Sequence, residues 1–120
     1  MSPRSYRVLL VVALVFAVTM ALLPHPPQVG TERLGDKANH MLAFATLAWL
    51  AAKGFPAAPL FRIGERLSFL GALIEVLQAI PALGRDCDIR DWIADTLAVA
   101  AVLIVVGAIR RRRPGPRVSI

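Results

Sequence analysis

The sequence predicts an all-α integral membrane bundle of four transmembrane helices, with both termini in the cytoplasm. Three observations lead there. Of the 120 residues, 57% are hydrophobic, against about 45–50% in a typical soluble domain, and mean hydropathy is +0.62. The apolar residues fall into four long runs, separated by polar segments punctuated by proline and glycine. The basic residues crowd alternate segments, as the orientation rule for membrane proteins requires. The length suits one domain spanning residues 1–120.

The first run, Val8 to Leu23, carries no charge and predicts a helix over about 6–23. Pro24, Pro26 and Pro27 end it, because proline lacks the N–H a continuing helix needs. Arg4 and Arg7 would also suit the start of a secretory signal, but the run is long for one and no small-x-small cleavage pattern follows cleanly. A retained span is the expectation. The second run, Ala38 to Phe55, is broken only by Lys53 and predicts a helix over about 37–55. Asp36 is placed to cap its start, and Gly54, Pro56 and Pro59 to stop it. The third, Leu67 to Leu83, predicts a helix over about 66–83, closed by Pro81 and Gly84. The fourth, Trp92 to Ile109, predicts a helix over about 91–110. At 1.5 Å per residue each run covers roughly 24–27 Å, short of a hydrocarbon core of about 30 Å but sufficient with flanking residues.

The net charge of +6 and the pI of about 11.1 invite a nucleic-acid reading. The charges do not form one basic patch, however; they sit in short segments between apolar runs, which argues against it. In a four-span arrangement Arg4, Arg7, Lys53, Arg62, Arg66, Arg110 to Arg113 and Arg117 share one side. Only Arg33, Lys37, Arg85 and Arg90 lie on the other. Both termini therefore face the cytoplasm, and the arginine-rich tail meets the anionic inner leaflet as a topology anchor. The single cysteine, Cys87, excludes an intramolecular disulfide and a cysteine-rich metal site.

Glu75 is the position that asks for a function. It lies inside the third apolar run, where an acidic side chain facing lipid would cost about 2.5–3.5 kcal/mol. Such residues face a bundle interior or a wet cavity. Gln78 shares its helical face. The stripe Ser68, Gly71, Ala72, Glu75, Gln78/Ala79 and Ala82 is small or polar and is expected to face the other helices. Asp36, Lys37 and His40 open the second helix, and Asp91 and Asp95 enter the fourth one turn apart. His40, Glu75, Gln78, Asp91 and Asp95 can thus converge in the outer half of the membrane, with Arg85 at the rim and Asp88 in the loop. Glu75 and Gln78 read equally as a ligand-facing site or as a clasp between helices. His40 reads as a site residue or as a partner of Asp36, and Asp88 as a site residue or a solvated loop charge. Trp92 and Tyr6 suit the two membrane interfaces.

Asp36-Lys37-x-x-His40, Glu75-x-x-Gln78 and Arg85-x-x-Asp88-x-x-Asp91, in this order among four spans, resemble the VanZ-like family of small bacterial membrane proteins. The resemblance covers roughly residues 34 to 100. It departs at Asp95 and Ala98, where the family tends to have an asparagine and a glycine. The resemblance implies a multi-pass protein of the bacterial cytoplasmic (inner) membrane. It also implies a link, in some members, to reduced sensitivity to glycopeptide antibiotics. It implies no reaction.

Three functions remain open on these residues. The first is an accessory or binding protein of the cell envelope. Its outward-facing polar pocket would take an envelope lipid, a lipid-linked precursor or a drug. The second is a membrane-embedded enzyme acting on such a lipid, with His40 and Glu75 as the candidate catalytic pair. The third is a small transporter or flippase, which with four short helices would have to form a homo-oligomer. No cofactor or resident metal is expected, since no dense ligand spacing, nucleophile signature or phosphate-cradling glycine loop is present in the sequence.

Overall fold

The computed structural model describes residues 1–23, 31–80 and 89–112, with residues 31–37 as backbone only. It contains four α-helices: α1 Pro3–Leu22, α2 Thr31–Gly54, α3 Leu60–Gln78 and α4 Ile89–Arg112. No strand occurs among the described residues.

Helix α1 opens on a standard cap. Ser2 Oγ accepts the N–H of Ser5 at 3.3 Å, and Pro3 occupies the first helical position, where its missing N–H costs nothing. The helix closes at Leu22, with the N–H of Leu23 donating to Thr19 O at 3.1 Å. The three prolines beyond lie outside the described residues.

The second helix corrects one expectation. It begins at Thr31, so Asp36 lies inside it and is not its N-cap. A hydropathy run marks only the apolar part of a helix, whereas the backbone closes its own bonds in polar sequence as well, so the helix extends beyond the run. The same reason explains α3. Arg62, Glu65 and Arg66 sit on its first turns, not in a loop. Pro59 stays extended at φ −60°, ψ 133°, and its carbonyl accepts the N–H groups of Arg62 and Ile63 at 3.1 and 3.3 Å. The helix stops at Gln78, short of the expected end. A proline at 81 cannot donate the N–H that would bond the carbonyl at 77; Pro81 and Gly84 themselves lie outside the described residues.

The helices alternate in direction. At one end Arg110 Nη2 donates to Ala52 O at 2.7 Å, which satisfies a carbonyl in the last turn of α2 that has no partner within its own helix. Leu60 meets Gly107 at the same end, and Arg7 meets Gly54. A Cβ on Gly54 would sit 2.9 Å from Arg7 Cγ and 3.2 Å from its backbone nitrogen, so glycine sets how closely α1 and α2 approach. At the opposite end Gln78 reaches Ala21. The start of α1 and the end of α4 therefore lie together, as expected of an even number of antiparallel helices.

Helices α2 and α4 pack along the centre, with α1 against α2 and α3 against α4. Leu47 and Val99 are the largest fully buried side chains, and Ala48 and Ala52 are completely covered. Small residues there let the central backbones come close. Tyr6 meets Trp49 edge to face, with ring centroids 5.4 Å apart. Lys53 lies 5.8 Å from the Trp49 ring and Arg7 5.6 Å from the Phe55 ring, within range of a cation–π attraction.

Two helices, Pro3–Leu22 and Ile89–Arg112, are long and apolar enough to cross a membrane. Outward-facing apolar side chains are found on all four. They include Val12, Val15 and Phe16 on α1 and Leu42 on α2. Phe61, Phe69 and Val76 do the same on α3, and Leu97 and Ile104 on α4.

Candidate functional site

A cavity of about 760 Å³ lies between α1 and α2, in the half of the bundle away from the termini, with α3 and α4 behind it. Its walls are apolar, with Ala13, Phe16, Ala17 and Met20 from α1, and Leu42, Phe44 and Leu47 from α2. Its polar lining comes from three helices: Asn39, His40 and Thr46 on α2, Glu75 on α3 and Asp95 on α4.

Glu75 is 9% exposed and Asp95 5%; His40 is half-buried. Each of the three has an interaction partner. Asp95 Oδ1 is fully shielded from solvent. Thr46 spends its hydroxyl within its own helix, donating to Leu42 O at 2.8 Å. Beside the Asn39 amide, the imidazole and the two carboxyl groups are the titratable part of the cavity.

Gln78 and Glu75 share a face but have different surroundings. Gln78 is 2% exposed, and its Nε2 donates to Ala21 O at 2.8 Å. Ala21 is in the last turn of α1, where carbonyls lack helical donors. Gln78 is thus a clasp that fixes the end of α1, and with it the wall of the cavity. Gln78→Leu is expected to lower stability by about 0.6–1.7 kcal/mol, the range for interhelical bonds in a membrane bundle. Thermal unfolding in detergent measures this, and an unchanged midpoint would show that the bond contributes nothing.

The rest of the small-polar stripe on α3 packs against α4. Ser68 Oγ and Thr96 Oγ1 are 3.0 Å apart, and Trp92 Nε1 donates to Ser68 O at 2.9 Å. A Cβ on Gly71 would lie 3.3 Å from Trp92 Cδ1 and 3.5 Å from Phe44 Cζ. Gly71 is buried with Glu75 and Gln78, whereas Ala79 is exposed and Ala82 lies outside the described residues. Trp92 therefore turns its polar edge inward instead of toward an interface.

Of the nine residues proposed from sequence, the cavity brings together His40, Glu75 and Asp95. Asp91 is half-buried in the first turn of α4 and does not line it. Asp36 and Lys37 are placed on α2 as backbone, and Arg85 and Asp88 lie outside the described residues, as does Cys87. The contribution of α1 was missed. Ala13, Ala17 and Ala21 recur every fourth residue, a small-residue stripe that marks a packing face and could have drawn attention to this helix. Asn39, Ala43 and Thr46 likewise share one face of α2.

Among the described residues, no three histidine, cysteine, aspartate or glutamate side chains group closely enough to hold a metal ion. What the cavity can do is accept hydrogen bonds and positive charge at its floor while burying apolar groups along its walls. No protein-family model, no curated protein and no solved structure matches the chain.

Proposed function

We propose that the chain is a VanZ-like protein crossing the bacterial cytoplasmic membrane four times with both termini inside. We propose further that its outer half binds a molecule of the cell envelope in an accessory role. The observation that carries this reading is the inversion of polarity. His40, Glu75 and Asp95 line a cavity between the helices while large apolar side chains face outward on every helix. In water, apolar surface beyond a few hundred Å² is anomalous; in lipid it is required. Ionisable groups inside a membrane bundle turn toward one another or toward a cavity.

In length α2 and α3 also match a span, with the charged Arg62, Glu65 and Arg66 grouped in the first turns of α3. The 24 residues of α2 and 19 of α3 rise about 36 and 28 Å. The basic ends support the orientation. Arg4, Arg7, Lys53, Arg62, Arg66 and Arg110 to Arg112 lie in the half of the bundle that holds the termini, the half that faces the cytoplasm under the positive-inside rule.

Cys87 follows α3 and precedes α4, so it belongs to the outer side in this arrangement. A membrane-impermeant maleimide is expected to label it in intact cells. Labelling only after permeabilisation would reverse the orientation and place the cavity in the cytoplasmic half. For the accessory role, a strain lacking the protein is expected to differ several-fold in its sensitivity to glycopeptides or other envelope-active drugs. Identical sensitivities across such a panel would count against that role.

A further inference from the structure

We infer that the cavity takes a single-chain amphiphile with a protonated amine at its head, admitted sideways between α1 and α2. This rests on the pocket reading above and names its ligand class. Four features of the site argue for it.

The size is that of a ligand site, since about 760 Å³ falls within the roughly 300–1,000 Å³ usual for small-molecule pockets. The opening is lateral. Phe16 and Leu42 line the cavity from facing helices yet are 67% and 68% exposed. They stand well inside their helices, not at an end, so the mouth opens on the flank of the bundle, where lipid chains lie. The wall is long enough for an alkyl chain. The lining residues of α1 run from Ala13 to Ala21, about 12 Å of helical rise, and Leu23 just beyond the helix extends the wall.

The floor selects the head group. Among the described lining residues the titratable groups are His40 from α2, Glu75 from α3 and Asp95 from α4. Helix α1 supplies none, and no lysine or arginine is present. An anionic head would meet two acidic residues in a water-poor site. An ammonium offers three donors, and a carboxylate accepts at about four lone-pair positions. Glu75 and Asp95 each already have a partner, which the ammonium would join at the carboxyl oxygens. Hydrogen bonds between charged groups are roughly twice as strong as neutral ones.

The test uses three spin-labelled chains of equal length, an alkylamine, the matching alcohol and the matching fatty acid. Each is titrated into the full chain in phosphatidylcholine nanodiscs at neutral pH, and the immobilised fraction is read by electron paramagnetic resonance. Saturable immobilisation of the amine, at least about tenfold tighter than the acid or alcohol, is expected. Ala17→Leu and Ala43→Leu each fill the groove and should weaken all three chains; circular dichroism verifies that each variant is folded, and either one suffices. Equal or tighter binding of the acid or alcohol would overturn the amine assignment while leaving the pocket intact. Absence of saturable binding by every chain, or indifference of a folded groove-filled variant, would overturn the lateral chain site. A drug-sensitivity phenotype persisting in that case would show that the accessory role stands without it.

Discussion

Glu75→Gln is expected to weaken binding of the amine-headed chain by about tenfold to a hundredfold, with the alcohol of equal length little affected. The size follows from a charge-assisted hydrogen bond, worth about 1.5–3 kcal/mol when one member is ionised. Glutamine keeps the shape, one acceptor oxygen and the capacity to bridge helices, so the fold should survive. Glu75 is 9% exposed and lines the cavity, which makes it a group a ligand can reach. The neighbouring Gln78 is already bonded to Ala21 and serves as the internal comparison. Its replacement should move the unfolding midpoint more than the head-group preference. For Glu75→Gln the pattern should reverse, with selectivity lost and the midpoint nearly constant. Equal affinities of the parent and Glu75→Gln for the amine would assign Glu75 to helix packing and remove the charge from recognition. The same comparison applies to Asp95→Asn, which replaces the carboxyl group with an amide of the same shape. A larger loss there than at Glu75 would make Asp95 the main seat of the ammonium.

Much of the architecture follows from hydropathy and punctuation, because an apolar run bounded by proline constrains a helix strongly. The four helices and their alternating direction could be read this way. The helix starts could not. Thr31 and Leu60 begin helices in polar or charged sequence, where backbone hydrogen bonding continues without an apolar signal. The convergence of His40, Glu75 and Asp95 was legible because ionisable groups set within apolar runs turn toward one another or toward a cavity. The role of Gln78 was not, since a side-chain amide bonds a backbone carbonyl as readily as a carboxyl group and Ala21 gives no sign of being the acceptor. Nor was the cavity. One wall is made by α1, whose lining residues are all apolar, and only the spacing of Ala13, Ala17 and Ala21 hints at a partner face. Arg110 is a similar case. In sequence it is one of a run of arginines, but in the fold it caps the last turn of α2 through Ala52.

Gly71→Leu is expected to damage the fold, lowering the thermal midpoint in detergent by about 5–15 °C. The glycine sits where α3 meets two aromatic rings from different helices. A Cβ alone would come within 3.3 Å of Trp92 and 3.5 Å of Phe44. Leucine adds three more carbons in the same direction, so one ring must move. Forcing a packed core in this way costs about 1–3 kcal/mol. Moving Trp92 would also strain its 2.9 Å bond to Ser68 O, worth roughly a further 0.6–1.7 kcal/mol. For a chain of about this size, each kilocalorie per mole corresponds to several degrees. Gly71→Ala separates crowding from backbone effects. Its methyl needs the rings to yield by only a few tenths of an ångström, and alanine gains about 1 kcal/mol of helix propensity over glycine; the midpoint should therefore stay near that of the parent. Because Phe44 also walls the cavity, the leucine variant should lose affinity for alkyl chains of every head group, unlike Glu75→Gln. If Gly71→Leu melts with the parent and Trp92 fluorescence is unshifted, the rings have room for the added carbons, and close packing at Gly71 does not limit this position.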